Sequence, residues 1–143
     1  MKNYEFRHSV SFGETNLVGN VYFTNFLVWQ GACREMFLYE NCPEIVREIQ
    51  GGTLALVTIH CSCDYLGELR AFDQILILME LLAVSANRVR MRFEYFKLGG
   101  QSKILVAKGA HEIGCFKRTG QSLSAIPIPE CLLQALEEYK ITT

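Results

Sequence analysis

The sequence has little charge and no long apolar run, and each shortage excludes a class of protein. Charged residues make up 20% of the chain and the formal net charge is −1, so there is no electrostatic basis for an obligate nucleic-acid partner. The longest apolar run, from Ile75 to Val84, covers about ten residues and contains Glu80, so it is too short to cross a bilayer. The N-terminus has no apolar segment of the signal-peptide kind. We expect a cytoplasmic protein with no nucleic-acid or membrane partner.

Disulfide and metal-binding patterns are also missing. The six cysteines are dispersed, with no C-x-x-C pair and no histidine at zinc spacing. Cys61 and Cys63 are the one close pair, and in a strand their side chains point to the same face. His8, His60 and His111 are isolated in the sequence, so we interpret them as structural, although His60 could line a cleft from a central strand. The sequence predicts reduced, mostly buried cysteines and no metal site.

What the chain does have is a large apolar fraction for its length. Hydrophobic residues make up 50% of its 143 residues, and no linker, repeat or composition break divides them. We therefore predict a single domain over residues 1–143. A chain of this length buries roughly 68–70% of its unfolded surface, which is enough for a core without disulfides or metals. Contacts between subunits would also explain the apolar excess, because isolated domains rarely expose large apolar patches.

The spacing of apolar residues predicts one long helix followed mainly by strands. Alternation indicates a first strand from Tyr4 to Phe12 and a turn at residues 13–20. From Val21 the spacing changes to three or four, which predicts a buried helix of roughly 20 residues that ends at Pro43. A short helix is expected at residues 44–49, and another after Pro129. Further strands are expected at residues 53–65, 72–86, 88–96 and 103–116, with a hairpin turn at 97–102. This order predicts an α+β fold in which one antiparallel sheet surrounds one long central helix.

The segment between the first strand and the long helix is the most informative. Residues 12–29 read F-G-E-T-N-L-V-G-N-V-Y-F-T-N-F-L-V-W and are followed by Q-G-A-C-R-E-M-F-L. This order of elements resembles the active-site segment of single-domain hotdog-fold thioesterases of the hydroxybenzoyl-CoA thioesterase-like group. The resemblance covers nearly the whole chain, and it implies a hotdog fold, thioester hydrolysis and no metal or organic cofactor. Such enzymes usually have a catalytic carboxylate at the position where this chain has Asn16.

The amide of Asn16 limits the chemistry that can be expected. An amide does not ionise near neutral pH, so it can neither attack a thioester as a nucleophile nor take a proton from water. Two alternatives stay open. Glu14, two residues away, could supply the missing carboxylate as a general base. Alternatively, hydrogen-bond donors polarise the thioester carbonyl and hold a water near it, and no protein base is required.

A narrower resemblance agrees with the second alternative. The runs E-T-N-L-V-G-N-V-Y-F and W-Q-G-x-C-R-E-M-F-L look like those of thioesterases from enediyne polyketide pathways, a branch that lacks the usual catalytic acid. Carried over by motif position, this resemblance implies catalytic roles for Asn16 and Arg34. It also implies release of a polyene or β-keto chain from an acyl carrier protein or polyketide synthase. A homodimer or homotetramer with sites at the subunit interface is expected on the same basis.

The residues around the motif favour a site for a carbonyl oxygen. The turn at Gly19 and Asn20 leads into a helix start near Tyr22 and Phe23, so we expect these four residues to bind substrate. The first N–H groups of a helix lack intrahelical partners and form a partial positive pole, which would stabilise a developing oxyanion. A plain turn at a strand-to-helix corner is the alternative interpretation.

Arg34 lies within a largely apolar helix, where a guanidinium is rarely buried without a partner. It is either a fixed cation that binds a carbonyl, carboxylate or β-keto group, or one half of an ion pair with Glu35 or with another subunit. Glu35 is the next carboxylate that could act as an alternative base. Side chains one position apart on a helix diverge, however, so a pairing or orienting role is expected for it.

Three arginines on one predicted strand allow two interpretations. Arg88, Arg90 and Arg92 project from one face, which is typical of a solvated surface. Alternatively they form a basic patch for the phosphates of CoA or phosphopantetheine, or for an acidic carrier protein.

Two other functions also stay open, namely a general acyl-CoA thioesterase that uses Glu14 as base and a non-catalytic acyl-binding hotdog protein.

Overall fold

A computed structural model describes residues 2–141, and within that range six antiparallel strands form one sheet around a long helix. The strands are β1 (Tyr4–Ser9), β2 (Leu54–Tyr65), β3 (Gln74–Ser85), β4 (Arg88–Gly99), β5 (Ser102–Thr119) and β6 (Ser122–Ala125). The helices are α1 (Thr24–Asn41), α2 (Pro43–Gln50) and α3 (Glu130–Glu137), and a 3-10 turn covers Phe12–Glu14. The strands lie in the order β1–β3–β4–β5–β2, with β6 paired to β5. The predicted α+β architecture is confirmed.

The core lies between α1 and the concave face of the sheet. Alternate residues of β4 face α1 and are buried, as the period of two along a strand requires. On the helix, the buried residues recur at a spacing of three or four. The principal core side chains are Phe26, Trp29, Cys33 and Phe37 from α1 and Val89, Met91, Phe93 and Tyr95 from β4. Burial of these side chains on both elements holds the helix inside the sheet.

The strand-to-helix segment differs from the prediction at both ends. The first strand ends at Ser9 rather than Phe12, because the chain then folds into the 3-10 turn. The long helix begins at Thr24 rather than near Val21, because Val21 is held in an extended pairing with Thr15. The backbone amide of the next residue, Tyr22, donates to the Glu14 carbonyl at 2.9 Å. The segment 15–23 is therefore a structured loop, longer than the predicted corner.

The later strands are placed as predicted, with three differences in extent. The continuous apolar sequence of the strand predicted at residues 72–86 is typical of a fully covered strand, but the observed β3 is buried only from Ile75 to Leu81 and is exposed beyond it. Strands β4 and β5 continue to Gly99 and from Ser102, so the hairpin turn is shorter than residues 97–102. The short strand β6 was not predicted, because four exposed residues carry no periodic signal.

An irregularity in β2 affects the residues near the middle of α1. The pairing of β2 with β5 shifts between Thr58 and His60, so one extra residue is inserted there. Directly paired residues point to the same face of a sheet, and Thr58 is paired with Ile113 whereas Cys61 is paired with His111. The bulge therefore directs both Thr58 and Cys61 toward the helix. In the strand order, β2 lies at the edge of the sheet and His60 is exposed, which corrects the expectation of a central strand for that histidine.

Replacement of Gly109 by alanine should destabilise the protein by about 1–3 kcal/mol, the usual cost of overpacking. A Cβ at this position would collide with the buried amide nitrogen of Gln30 and lie 2.7 Å from the Ser62 carbonyl oxygen. That amide donates to the same carbonyl at 2.9 Å, so neither group can move without losing the bond. The free energy of unfolding in urea measures the effect.

The matched control is Gly31→Ala within α1, where an added Cβ meets no heavy atom within 4 Å. Alanine favours a helix interior over glycine by roughly 1 kcal/mol, so this variant should be as stable as the wild type or more so. Equal stability of the Gly109→Ala variant and the wild type would show that α1 does not approach β5 as closely as described.

Candidate active site

Asn16 lies in a closed loop between the 3-10 turn and α1. Its backbone amide donates to the Asn20 carbonyl at 2.9 Å, and the Gly19 amide donates to the Asn16 carbonyl at 2.9 Å. Gly19 has a φ of +95°, a conformation that glycine adopts without strain. The pairing of Thr15 with Val21 closes the base of the loop. These contacts hold Asn16 in a defined, half-buried position just before the helix.

The orientation of the Asn16 amide follows from one hydrogen bond. Its Oδ1 accepts the backbone N–H of Val18 at 2.9 Å, as in an Asx turn. The carbonyl side of the amide is therefore engaged within the loop. Its Nδ2 makes no hydrogen bond to any residue between 2 and 141, so Asn16 offers N–H donors to a ligand.

Glu14 is engaged by donors from three directions. Its carboxylate accepts the Ser11 amide at 2.8 Å and the Trp29 indole N–H at 2.7 Å, and it lies 2.9 Å from His8 Nε2. Burial alone would raise the pKa of the Glu14 carboxyl, but these three donors outweigh it and lower the pKa below its usual value. A carboxylate of low pKa whose oxygens are already occupied is a poor proton acceptor. The geometry thus favours a structural role for Glu14 over the general-base alternative.

The start of α1 presents two amides without acceptors. Helix α1 begins at Thr24, and the backbone amide of Asn25 donates to the Tyr22 carbonyl at 3.0 Å, a three-residue bond of the kind common at helix ends. In the described part of the chain, the backbone N–H groups of Phe23 and Thr24 have no hydrogen-bonded partner. Free N–H groups at a helix start can stabilise an oxyanion. Free donors of the kind expected for this site are therefore present at the helix start.

The four residues expected to bind substrate lie around this helix start. Asn20 and Phe23 line a cavity of about 180 Å³ together with Tyr65, whose hydroxyl donates to the Phe23 carbonyl at 2.9 Å. The Asn20 side chain donates to Glu68 at 3.2 Å, so it is partly committed to the protein. Tyr22 is 47% exposed and packs against Phe23, with ring centroids 4.9 Å apart. A partly apolar recess therefore adjoins the free amides.

Arg34 lies at the edge of a different and larger cavity. Helices α1 and α2 and strand β2 enclose about 410 Å³ beside it, within the usual size range of ligand pockets. Its side chain is only 16% exposed, and burial lowers the pKa of its guanidinium. Apart from Arg34, Glu35 and Gln50, the lining is apolar: Met36, Leu38, Tyr39, Val46, Ile49 and Leu56. The guanidinium is thus the buried charge at the edge of an apolar space.

The partners of Arg34 are a histidine and a weakly placed carboxylate. Its Nη1 lies 3.3 Å from His111 Nε2, and the same ring nitrogen lies 2.9 Å from the Thr58 hydroxyl. Glu35 approaches Nη2 at 3.8 Å, but 72% of its side chain is exposed. Burial and the adjacent guanidinium lower the pKa of His111 to about 4. The imidazole is therefore neutral at physiological pH.

Thr58 and His111 were missed as site residues by the sequence analysis. His111 stands 77 residues from Arg34 and has no motif around it. A signal was nevertheless present, since His111 is in phase with the buried Ile113 and Cys115 along β5 and so must face the helix. A buried histidine on the same face of the sheet as a buried mid-helix arginine is a pair that the register can bring together.

The structure does not bring Asn16 and Arg34 together within one chain. Phe23, next to the free amides, and Arg34 are eleven positions apart, which corresponds to roughly 16 Å along a helix axis. Arg34 instead contacts β2 and β5. The motif thus supplies two separate polar sites on each chain.

The three arginines of β4 are paired with carboxylates on the outer face of the sheet. Arg88 and Arg90 lie 3.0 and 3.6 Å from Glu112, and Arg92 lies 2.8 Å from the buried Glu80. These pairs neutralise much of the positive charge locally. The arrangement therefore favours a surface of ion pairs over a basic patch that binds phosphates.

Neither a metal-binding cluster nor a membrane-spanning helix is found in residues 2–141. No three side chains of His, Cys, Asp or Glu cluster there in a way that could hold a metal ion. The six cysteines are all unpaired thiols. None of the described helices combines the length and apolarity that crossing a membrane requires.

Comparison with known proteins identifies relatives over nearly the whole chain. The sequence model of the thioesterase-like superfamily matches residues 10–136. Dynemicin thioesterase, whose crystal structures reveal induced-fit and allosteric effects upon polyene binding, is 38% identical over 99% of this chain and 100% of its own, with a TM-score of 0.94. Curated protein sequences give no match.

Two more distant structures share the fold. A 1,4-dihydroxy-2-naphthoyl-CoA thioesterase from Synechocystis is 22% identical, with a TM-score of 0.84 over 94% of this chain and 96% of its own. A mutant of 4-hydroxybenzoyl-CoA thioesterase in complex with 4-hydroxybenzoyl-CoA is 15% identical, with a TM-score of 0.82 over 96% and 100% of the two chains. These likenesses confirm the predicted hotdog fold.

Replacement of Glu14 by glutamine should lower the free energy of unfolding by about 1.5–3 kcal/mol, the range for hydrogen bonds to a charged group. The pKa of Glu14 is lowered in the folded chain, so its stabilisation is full above the unfolded pKa and is lost as the pH falls through the folded pKa. The difference between the wild type and the variant should therefore shrink in acid. Urea denaturation at a series of pH values measures it.

The control for this experiment is Glu35→Gln, because Glu35 is exposed and makes only a 3.8 Å contact. It should change stability by less than 1 kcal/mol, as is usual for surface pairs. A Glu14→Gln variant with unchanged stability and abolished thioester hydrolysis would instead identify Glu14 as the general base.

The stability contributed by His111 should depend on pH between about 6.5 and about 4. As the pH falls through this window, the unfolded imidazole binds a proton that the folded one does not, so the folded state loses about 1.4 kcal/mol per pH unit. Above the window the contribution is complete. His111→Gln lacks the titrating group, so its stability relative to the wild type should rise on acidification within the window. Replacement of the exposed His60 by glutamine is the control, and a parallel pH profile for His111→Gln and the wild type would contradict the assignment.

Proposed function

The chain belongs to the thioesterase-like superfamily and is a thioester hydrolase, and we propose that it releases a polyene or β-keto polyketide chain from an acyl carrier protein or polyketide synthase. The observation that carries this proposal is the 38% identity to dynemicin thioesterase across 99% of the chain, since that enzyme binds a polyene. The apolar cavity beside Arg34 is consistent with a long, poorly hydrated acyl chain. Cytoplasmic action is part of the proposal, and the six free thiols support it.

The proposed reaction uses donors in place of a catalytic carboxylate. The thioester carbonyl oxygen lies near the Asn16 Nδ2 and the free amides of Phe23 and Thr24. A water attacks the carbonyl carbon, and these donors stabilise the oxyanion that forms. Collapse of this intermediate breaks the C–S bond, and the proton lost by the attacking water passes through solvent to the departing sulfur, so the products are a carboxylic acid and a free thiol. Glu14 is occupied by its own donors, which supports a mechanism that does not depend on it.

The separation of Asn16 from Arg34 supports a site built from two chains. If both residues act on one substrate, they reach it most simply from different subunits, because roughly 16 Å of helix separates the free amide of Phe23 from Arg34 in one chain. We therefore include in the proposal a homodimer, or a homotetramer made of such dimers. Asn16 and the helix start come from one protomer, and Arg34 comes from its partner. The exposed apolar residues of the 12–23 segment, among them Phe12, Leu17 and Val18, are consistent with an interface there.

CoA is the alternative carrier. A CoA thioester and a carrier-protein thioester have the same reacting group, so the enzyme can distinguish them only through the surface that binds the rest of the carrier. The pairing of Arg88, Arg90 and Arg92 with carboxylates leaves neither carrier a clear phosphate site on that face. The choice between carriers therefore depends on measurement of hydrolysis.

A mass-spectrometric hydrolysis assay tests the proposal directly. Polyene and β-keto chains are presented as thioesters of an acyl carrier protein and of CoA, with the wild type beside Asn16→Ala and Arg34→Ala. Loss of one transition-state donor is expected to lower kcat by a factor of about 100–1,000 in Asn16→Ala. Faster release from the carrier protein than from CoA supports the polyketide role. Preferential turnover of short aromatic or housekeeping CoA esters would overturn it.

Mixed oligomers test whether the site spans two chains. Asn16→Ala and Arg34→Ala protomers, unfolded together and refolded, should recover roughly a quarter of the wild-type activity, because half of the dimers are mixed and each of those keeps one intact site. If both residues act within one protomer, mixing restores nothing. Each variant refolded alone is the control.

A further inference from the structure

Arg34 has no strong carboxylate partner among the described residues. Within residues 2–141, Glu35 is the one acidic side chain within 4 Å of its guanidinium, at 3.8 Å and mostly exposed to solvent. Exposed pairs of this kind contribute little to stability or position. The Nε of Arg34 is buried and makes no hydrogen bond to residues 2–141. A buried guanidinium of this kind is expensive unless another group fixes and solvates it.

His111 is the group that contacts Arg34 from the sheet. An arginine N–H can only donate, so the 3.3 Å contact with Nη1 requires Nε2 of the imidazole to be an acceptor without a proton. The Thr58 hydroxyl, 2.9 Å from the same nitrogen, can donate to it as well. The ring proton is therefore on Nδ1, which is buried and has no partner in the described range. The contacts thus fix one tautomer.

We infer that His111 is a positioning residue that holds the guanidinium of Arg34 for the reaction while leaving its positive charge intact. The hydroxyl of Thr58, on the bulged strand β2, fixes the orientation of the His111 imidazole. The inference rests on the proposed role of Arg34 and adds the residue that places it. His111 need not touch the substrate, since it acts through Arg34.

A neutral imidazole orients Arg34 without cancelling its positive charge. A carboxylate in the same place would hold Arg34 more strongly, but it would also cancel its charge and compete with a substrate oxygen for its N–H groups. A neutral acceptor orients the guanidinium at lower cost to its attraction for a carbonyl or enolate oxygen. The other described side chains next to His111 agree, because its cross-strand neighbours Cys61 and Met91 carry no charge.

Four replacements of His111 separate positioning from folding. His111→Gln keeps a neutral acceptor, and His111→Asn keeps one with a shorter reach. His111→Leu removes the acceptor, and His111→Asp supplies a charged one. We expect kcat/KM for a β-keto or polyene thioester to stay within a few-fold of the wild type in the Gln variant. It should fall by about tenfold to a hundredfold in the Leu variant, the scale associated with a misplaced catalytic group. The Asp variant should fold, pair with Arg34 and yet be at least as slow as the Leu variant.

The double variant Arg34→Ala/His111→Leu distinguishes a loss of activity that acts through Arg34 from a general loss of activity. In an Arg34→Ala background, His111→Leu should cause no further loss, because there is no guanidinium left to position. Ile113→Val is the matched control, since Ile113 is buried two residues further along the same face of β5. It should slow hydrolysis by less than a few-fold in both backgrounds. Circular dichroism and urea denaturation establish that every variant is folded at the assay temperature.

Three results would overturn the inference. The first is full activity of His111→Leu while Arg34→Ala is inactive, and the second is full activity of His111→Asp. The third is an equal loss from His111→Leu with and without Arg34. Failure of the proposed function looks different, because then the wild type itself hydrolyses neither polyketide substrate. In that case the same comparison is made with any thioester that the wild type does hydrolyse.

Discussion

Enclosure of an 18-residue helix by a single sheet is the constraint on which the rest of this structure depends. Water does not reach the inward face of such a helix, so each polar side chain on it must find a partner in the surrounding protein or bear the cost of burial without one. Trp29 donates to Glu14, Gln30 donates to the Ser62 carbonyl, and Arg34 contacts His111. The polar partners are thus spread along the helix, from its first turns to its middle.

The pairing of Trp29 with Glu14 has a chemical consequence. The indole N–H needs an acceptor, and the carboxylate that accepts it also receives the Ser11 amide and His8. A carboxylate held in this way stays ionised and occupied, which leaves the neighbouring loop without a base. Asn16 then presents its amide N–H groups, because its oxygen is used by Val18. Among the described residues, the groups left free at the helix start include the Asn16 Nδ2 and the backbone N–H groups of Phe23 and Thr24, which suit stabilisation of a negative oxygen better than removal of a proton.

Periodicity in the sequence was sufficient to predict the long helix and most of the strands, because burial on one face leaves a regular spacing of apolar residues. It could not predict that β1 ends at Ser9 or that α1 begins at Thr24, since both depend on backbone hydrogen bonds of the 15–23 loop. The alternation along β5 indicates the face on which His111 lies, but its contact with Arg34 also depends on strand register and on a bulge, which periodicity does not predict. The motif predicts roles for Asn16 and Arg34. The length of helix between Phe23 and Arg34, roughly 16 Å, indicates that these two parts of the motif lie at separate places in one chain.

The arginines of this chain have two kinds of partner, and the difference indicates the role of Arg34. Arg88 and Arg92, on the outer face of the sheet, each have a carboxylate at 3.0 Å or less. Arg34 is more buried than either, so a carboxylate partner would relieve a larger desolvation cost there. It is met instead by a neutral imidazole on the sheet, and its one nearby carboxylate extends into solvent. A fold that merely tolerated this arginine would gain stability from an acidic partner. An arginine that must attract a substrate oxygen would lose function from one, and the observed partner fits the second requirement.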